Sequence, residues 1–102
     1  MAISDVQLKN GWYQVIDDNG KKIKEIHENQ VGELQGIGMN FILFLKNGWF
    51  TTYDENMKKI KEIHENQVGS FKSVVGISIN FEKNGWLATY DKDFSKKNEK
   101  HI

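Results

Sequence analysis

Short runs of hydrophobic residues, several of them alternating with polar ones, are separated along this chain by Asn-Gly pairs. At residues 77–81 the sequence ISINF alternates, Asn-Gly follows at 84–85, and WLATY forms a second run at 86–90. Both residues of an Asn-Gly pair accept a positive φ angle, so the pair fits a type I′ turn. Two such runs around the pair predict a β-hairpin, and the same arrangement around 47–48 and 10–11 predicts two more.

The predicted hairpin recurs at a fixed spacing of 37 residues. Trp12, Trp49 and Trp86 each follow the sequence Lys-Asn-Gly, and the block KKIKEIHENQVG occurs identically at 21–32 and 58–69. A fixed period between about 20 and 50 residues is typical of repeat architectures, in which one small unit is stacked or arranged around an axis. We expect a single domain, 1–102, with units at about 1–37, 38–74 and 75–102, the last of them incomplete.

The segment KKIKEIH, which follows each of the first two hairpins, fits either a strand or a helix. In the first copy it follows Asp-Asp-Asn-Gly at 17–20, a turn signal that predicts a third strand. In the second copy Met57 replaces the glycine, and Met57, Ile60 and Ile63 have helical spacing. We favour a strand because Gly20 would destabilise a first helical turn by roughly 1 kcal/mol. An α+β fold of ββα repeats is the alternative.

We expect the three units to close around an axis. The first copy begins in mid-unit, since residues 1–8 align with 38–45, and strands from both ends of the chain would complete one unit. In the third copy Lys97 and Lys100 stand where the second copy has isoleucine. Between the second and third hairpins, residues 71–75 predict a short fourth strand. The expected fold is all-β, with antiparallel hairpin or meander repeats. It closes as a pseudo-threefold β-prism or trefoil-like fold, or forms half of a six-bladed propeller shared by two chains.

Composition excludes several classes of function. Fourteen basic and fourteen acidic residues cancel, which argues against a dedicated binder of nucleic acid or of anionic membranes. The absence of cysteine excludes thiol chemistry. Residues 1–10 do not resemble a signal peptide, and the most apolar run, 39–45, is too short to span a bilayer. The sequence thus predicts a soluble chain without membrane insertion, cytoplasmic by default.

No catalytic motif is recognisable. Serines do not occur in a nucleophile-elbow pattern, and glycines do not have a phosphate-binding spacing. Carboxylates are mostly interleaved with lysines, as on a solvated surface. Asp17, Asp54 and Asp91 end the second strand of each unit, and we expect them to accept backbone N–H bonds in the following turn. The prediction is a protein that is not an enzyme and has no cofactor.

The repeated aromatic and amide residues are the candidate binding groups. Tryptophan and tyrosine at a shallow surface stack on sugar rings or anchor a peptide. The candidate ligand-binding residues are Trp12, Trp49, Trp86, Tyr53, Tyr90, Asn10, Asn47 and Asn84. They predict a binding module for a glycan or a peptide, with several equivalent sites that give avidity. The other interpretation of the tryptophans is that each fills the core of its unit and recurs because the unit recurs. The alternative function is self-association, for example as a dimer, without a small-molecule ligand, since the third copy is incomplete and the units are nearly identical.

The three histidines also recur with the period of the repeat, at His27, His64 and His101. On a threefold axis their imidazoles would converge, and three histidines are a common zinc-binding set. The alternative is that the repeat alone causes this recurrence and that the side chains point outward around a rim.

The hairpin resembles the tryptophan-glycine repeats of bacterial proteins. In those repeats an Asn-Gly turn precedes a tryptophan strand that ends in Ile-Asp and an Asn-Gly-Lys turn. The matching residues are 10–12, 16–17 and 19–21, although Tyr13 stands where those repeats have glycine. This resemblance implies a β-repeat with a binding role and no particular chemistry.

A weaker resemblance, at the level of shape, is to the three-unit β-prism lectins of monocots, which bind mannose. Their motif of Gln, Asp, Asn, Val and Tyr corresponds here to positions of which only the tyrosine, Tyr53 or Tyr90, is kept. The resemblance implies a shared shape and not a shared mannose site.

Overall fold

The computed structural model describes residues 3–102, which form three antiparallel β-sheets joined by two single helical turns. The first sheet contains β1 (Ile3–Lys9), β2 (Trp12–Asp17) and β3 (Lys22–His27). The turn α1 (Glu28–Val31) leads to the second sheet, which contains β4 (Glu33–Ile37), β5 (Ile42–Lys46), β6 (Trp49–Tyr53) and β7 (Lys59–His64). The turn α2 (Glu65–Val68) leads to the third sheet, which contains β8 (Ser70–Val75), β9 (Ser78–Lys83), β10 (Trp86–Tyr90) and β11 (Lys96–His101). The predicted all-β fold of antiparallel repeats is confirmed. No helix in this part of the chain is both long and apolar enough to cross a membrane.

All three Asn-Gly hairpins form as predicted. Asn10, Asn47 and Asn84 have φ angles of 52°, 51° and 53°, and the glycine after each has a φ angle between 81° and 83°. Two consecutive positive φ angles are the mark of the type I′ turn, whose twist matches that of the flanking strands. The turn fixes the register, so that Trp49 pairs with Lys46 across the hairpin. The predicted fourth strand is also present, as β8 of the third sheet.

The segment KKIKEIH forms a strand, β3 in the first unit and β7 in the second, and the alternative ββα repeat does not form. Met57 has a φ angle of 60°, in the left-handed region, which an α-helix cannot contain. Met57 and Phe94, with a φ angle of 57°, therefore keep the turn conformation of Gly20. The left-handed backbone strains each of them by roughly 1–2 kcal/mol. Both side chains are buried in a hydrophobic core, and this burial offsets the strain.

The predicted turn role of Asp17, Asp54 and Asp91 is confirmed. The Oδ1 atom of each accepts hydrogen bonds from the backbone N–H groups two and four residues later, at 2.9 to 3.0 Å. The backbone N–H of each aspartate also donates to the carbonyl four residues later. These bonds hold the tight turn between the second and third strands of a unit, with or without a glycine.

The three sheets pack in a row, with the second sheet between the other two. Ile42 and Phe44 face the first sheet within one hydrophobic core, whereas Phe41 and Leu43 face the third sheet within another. All four side chains are fully buried. The molecule is accordingly elongated, with dimensions of 41 × 26 × 19 Å. Within residues 3–102 the structure shows no closure of the units around an axis, because neither core contains residues of both the first and the third sheet.

The outer faces of the row carry polar residues where the second sheet carries apolar ones. Asn80 on the third sheet takes the place of Leu43, and Gln7 on the first sheet takes the place of Phe44. The Asn80 amide donates to Ser73 at 3.1 Å and accepts at 2.7 Å from a threonine on β10, so its hydrogen-bonding groups are used within the sheet. A polar outer face of this kind does not favour the packing of a further sheet.

The glycine that ends each helical turn packs closely against the first hairpin strand of the next unit, within the sheet that the chain enters there. Gly32 and Gly69 both have a φ angle of 88°. A β-carbon on Gly32 would collide with the carbonyl oxygen of Leu45 and lie 2.7 Å from the Cβ atom of Lys46. Lys46 Nζ donates to the carbonyl oxygen of Asn29 in the preceding helical turn. The equivalent glycine and lysine contacts recur between the second and third units, so similar contacts relate each unit to the next.

We expect Gly32→Ala to destabilise the fold more than Gly20→Ala. Gly20 has a φ angle of 77°, where alanine strains the backbone by roughly 1–2 kcal/mol. Gly32 has a φ angle of 88° and a ψ angle of −143°, a region that essentially only glycine occupies, so the backbone strain is larger there. Only at Gly32 does the new methyl group meet a neighbouring unit, since nothing lies within 4 Å at Gly20. Overpacking at Gly32 adds roughly 1–3 kcal/mol. Urea unfolding followed by circular dichroism gives both free energies. Equal losses in the two variants would contradict a tight contact between units.

We expect the double variant Ser78→Phe/Asn80→Leu to associate with itself. It gives the outer face of the third sheet the residues that the second sheet uses to pack, Phe41 and Leu43. An exposed apolar patch of this kind promotes association. In light scattering over a concentration series, the molar mass of the variant rises more steeply than that of the unchanged chain. Identical concentration dependence of the two would show that polar residues on this face do not limit stacking.

Candidate functional site

Each tryptophan packs against the histidine that lies opposite it in the sheet. The ring centroids are 5.0, 5.0 and 4.9 Å apart in the pairs Trp12–His27, Trp49–His64 and Trp86–His101. The interplanar angles, 88°, 85° and 81°, make all three contacts nearly perpendicular. A perpendicular contact covers at most one face of an indole ring, so each tryptophan keeps a face that its histidine leaves open.

The histidines have structural partners and do not converge. His64 Nδ1 accepts a hydrogen bond from the backbone N–H of Asn66 at 3.1 Å and so caps α2, and His27 caps α1 in the same way. His27, His64 and His101 belong to three different sheets. Among residues 3–102, no group of three histidine, cysteine, aspartate or glutamate side chains lies where it could hold a metal ion. The three imidazoles do not meet on a shared axis, because the sheets that carry them stack in a row.

The tryptophans lie at the surface. Trp12, Trp49 and Trp86 are 42%, 44% and 44% exposed, and none belongs to either hydrophobic core. The alternative interpretation, in which each tryptophan fills the core of its unit, is therefore wrong. Phe44 and Phe81 occupy the core instead. Large rigid side chains that are half exposed in a repeated pattern are typical of binding surfaces.

Two equivalent grooves, of about 240 and 290 Å³, lie between successive units. The first groove is lined by Gln30, Val31, Lys46, Asn47, Trp49, Thr51, Tyr53, Lys59 and Glu62. The second groove is lined by Gln67, Val68, Lys83, Asn84, Trp86, Ala88, Tyr90, Lys96 and Glu99. Every residue of the second groove lies 37 positions after its counterpart in the first, and Ala88 in place of Thr51 is the single chemical difference between them.

Strand alternation and the neighbouring unit together build each groove. In the first groove Trp49, Thr51 and Tyr53 occupy alternate positions of β6 and therefore share one face of the sheet. The adjacent strand β7 supplies Lys59 and Glu62, the latter directly opposite Thr51. The helical turn α1 of the preceding unit contributes its glutamine and valine. A complete groove thus requires two successive units.

The structure brings most of the predicted ligand-binding residues together, in two sets. The first groove contains Asn47, Trp49 and Tyr53, and the second contains Asn84, Trp86 and Tyr90. Trp12 and Asn10 line neither groove, although Trp12 makes the same histidine contact as the others. Among residues 3–102 no helical turn precedes the first hairpin, and Ile16 stands where the later copies have tyrosine.

The charged side chains of the grooves already have partners. Lys59 lies 3.5 Å from Glu62, and the equivalent pair Lys96–Glu99 is separated by 3.1 Å. The pKa of Lys96 is raised by its hydrogen bond to Glu99 and by the attraction between their charges. Lys46 at the rim of the first groove donates to backbone carbonyls of α1. A ligand therefore meets donors and acceptors side by side, next to an aromatic face.

Several groove residues were not among the predicted candidates. These are the lysines, glutamates, glutamines and valines that line both grooves, together with Thr51 and Ala88. Their positions recur with the same 37-residue period as the tryptophans. In the first groove, four of them lie within the two copies of the KKIKEIHENQVG block: Gln30, Val31, Lys59 and Glu62. The hairpin register also places Glu62 beside Thr51. The contribution of the preceding unit had no local signal, because it depends on how the units stack.

Comparisons with known proteins do not assign this chain to a family. No protein-family model matches it, and no curated protein matches it either. The resemblances to tryptophan-glycine repeats and to β-prism lectins therefore stay predictions.

We expect the Tyr53 phenol to ionise at higher pH than an ordinary tyrosine. Burial raises its pKa above 10.0, Lys59 partly opposes this shift, and Glu62 adds to it. Because the folded-state pKa is raised, stabilisation from the neutral phenol is present below about pH 10 and is lost as the pH rises through the folded-state pKa. An absorbance titration shows a late component that Tyr53→Phe removes. A late component that persists in this variant would assign it to another tyrosine.

Proposed function

We propose that this chain is a non-enzymatic repeat binding module that holds a glycan or a peptide in its two equivalent grooves. The observation that carries this proposal is the recurrence of one lining, residue by residue, at the junctions between units. Each groove combines a half-exposed tryptophan, a tyrosine and an asparagine amide with paired charges.

The chemistry of the grooves suits binding without reaction. Trp49 has two χ angles and packs against His64, so little side-chain entropy is lost when a ligand covers its free face. The hydroxyl and amide groups beside it offer directional hydrogen bonds. Two equivalent sites raise the overall affinity for any ligand that reaches both.

Self-association, the alternative function, has less support. The outer faces of the row carry polar residues such as Asp5, Gln7 and Asn80. Stacking of one molecule on another would bury these groups without the apolar contacts that join the sheets within the chain.

The test compares Trp49→Ala and Trp86→Ala with the matched control Trp12→Ala. All three tryptophans are similarly exposed and contact a histidine, but Trp12 lies outside both grooves. The unchanged chain is screened on arrays of neutral and charged oligosaccharides and of random peptides, and the best ligand is titrated into each variant. We expect each groove variant to lose one of two sites, weakened roughly tenfold or more, or about 1.4 kcal/mol. The control binds as the unchanged chain does.

Circular dichroism of each variant checks that the fold is kept. If the three variants lost affinity equally, the grooves would not be the binding sites. If no oligosaccharide or peptide bound in a way that depends on Trp49 or Trp86, the proposed function would be wrong.

A further inference from the structure

The two grooves lie at equivalent junctions, one between the first and second sheets and one between the second and third sheets. Gly32 and Lys46 hold the helical turn α1 against β5, and Gly69 and Lys83 hold α2 against β9 through the same contacts. The same local structure thus recurs beside both grooves. Sheets packed face to face lie about 10 Å apart, so successive junctions of the row are separated by about that distance.

The floor of each groove offers side chains and no free backbone. Strand β6 is paired on one side with β5 and on the other with β7, and β10 is paired in the same way with β9 and β11. Peptides commonly bind to a sheet by adding a strand to an exposed edge, through hydrogen bonds to its backbone. A central strand cannot bind a peptide in this way, because its backbone N–H and C=O groups are already hydrogen-bonded to the strands on either side.

The charges of the grooves favour a neutral ligand. Glu62 and Glu99 each form an ion pair with the lysine three residues earlier, and Lys83 donates to the carbonyl oxygen of Asn66 at 2.6 Å. A charged ligand would have to compete with these partners. A hydroxyl group both donates and accepts, so it hydrogen-bonds to either member of an ion pair without separating the charges.

Resting on the proposed function, we infer that the ligand is a linear neutral polysaccharide, one chain of which occupies both grooves. A sugar ring presents an apolar C–H face, which packs on the open face of Trp49 or Trp86. Its hydroxyls meet the amide of Asn47 or Asn84 and the lysine–glutamate pair beside it. A polymer of identical sugars presents the same apolar faces and hydroxyls at regular intervals along its length. The two grooves present equivalent sets of side chains to bind them.

The experiment titrates the full chain with length ladders of neutral oligosaccharides, built from glucose, mannose or N-acetylglucosamine, from the disaccharide to the octasaccharide. We expect the affinity for at least one ladder to rise by about tenfold or more when the ligand becomes long enough to reach the second groove. At the same length, calorimetry shows the stoichiometry fall from two ligands per chain to one.

The affinity step is then tested with variants of one groove. We expect Trp86→Ala and Asn84→Gly to remove the step and leave the binding of short oligosaccharides at one site. Glycine accepts the positive φ angle of Asn84, so the second variant removes the amide and keeps the turn. The matched controls, Trp12→Ala and Asn10→Gly, lie outside the grooves and keep the step.

The outcomes separate this inference from the proposed function. Oligosaccharide binding that depends on Trp86 but has no step in length would overturn the inference and leave a glycan-binding module. Binding restricted to peptides, or to charged glycans, and dependent on Trp49 or Trp86 would also overturn it while the proposed function stands. The absence of tryptophan-dependent binding by any of these ligands would overturn both.

Discussion

The fold depends on burial of both faces of the second sheet. Its strand β5 inserts side chains alternately into two separate cores, and the first and third sheets pack on it from opposite sides. A single sheet of four strands with one buried face would bury little apolar surface, and small isolated sheets are only marginally stable in water. Because the second sheet serves both neighbours, the three units form one molecule, and the junctions between them create the grooves.

The local structure could be predicted from the sequence because its causes are local. Asn47-Gly48 forms its turn through φ preferences alone, and Asp54 folds the next turn through its own carboxylate. The order of the sheets could not be predicted in this way, since it depends on which face of a strand meets which neighbour. The signal was nevertheless present: residues 41–45 are continuously apolar, whereas 77–81 alternate. A continuous run indicates a strand buried on both faces, and alternation indicates a strand buried on one.

In the candidate site, too, the locally determined residues could be predicted from the sequence and those that depend on stacking could not. Trp49, Tyr53 and Asn47 were predicted from residue type and recurrence, and they share one groove. Gln30 and Val31 belong to the preceding unit, and their part in that groove follows only from the stacking. The histidines recur with the same period, and only a threefold axis would have brought them together. A row of sheets keeps them apart: each packs against a tryptophan, and His27 and His64 also cap a helical turn.

The recurrence of the same contacts from one unit to the next, at the glycines and in the cores, means that a unit can be duplicated as a module. The second unit presents Ile42 and Phe44 to its predecessor, and the third presents the matching Ile79 and Phe81 to the second. A further copy of the second unit, inserted after it, would thus find a face already suited to its own. Since each junction carries one groove, every inserted unit would lengthen the array by a sheet and add a groove. The capacity of such a protein can therefore change by duplication within the gene, without the evolution of a new interface.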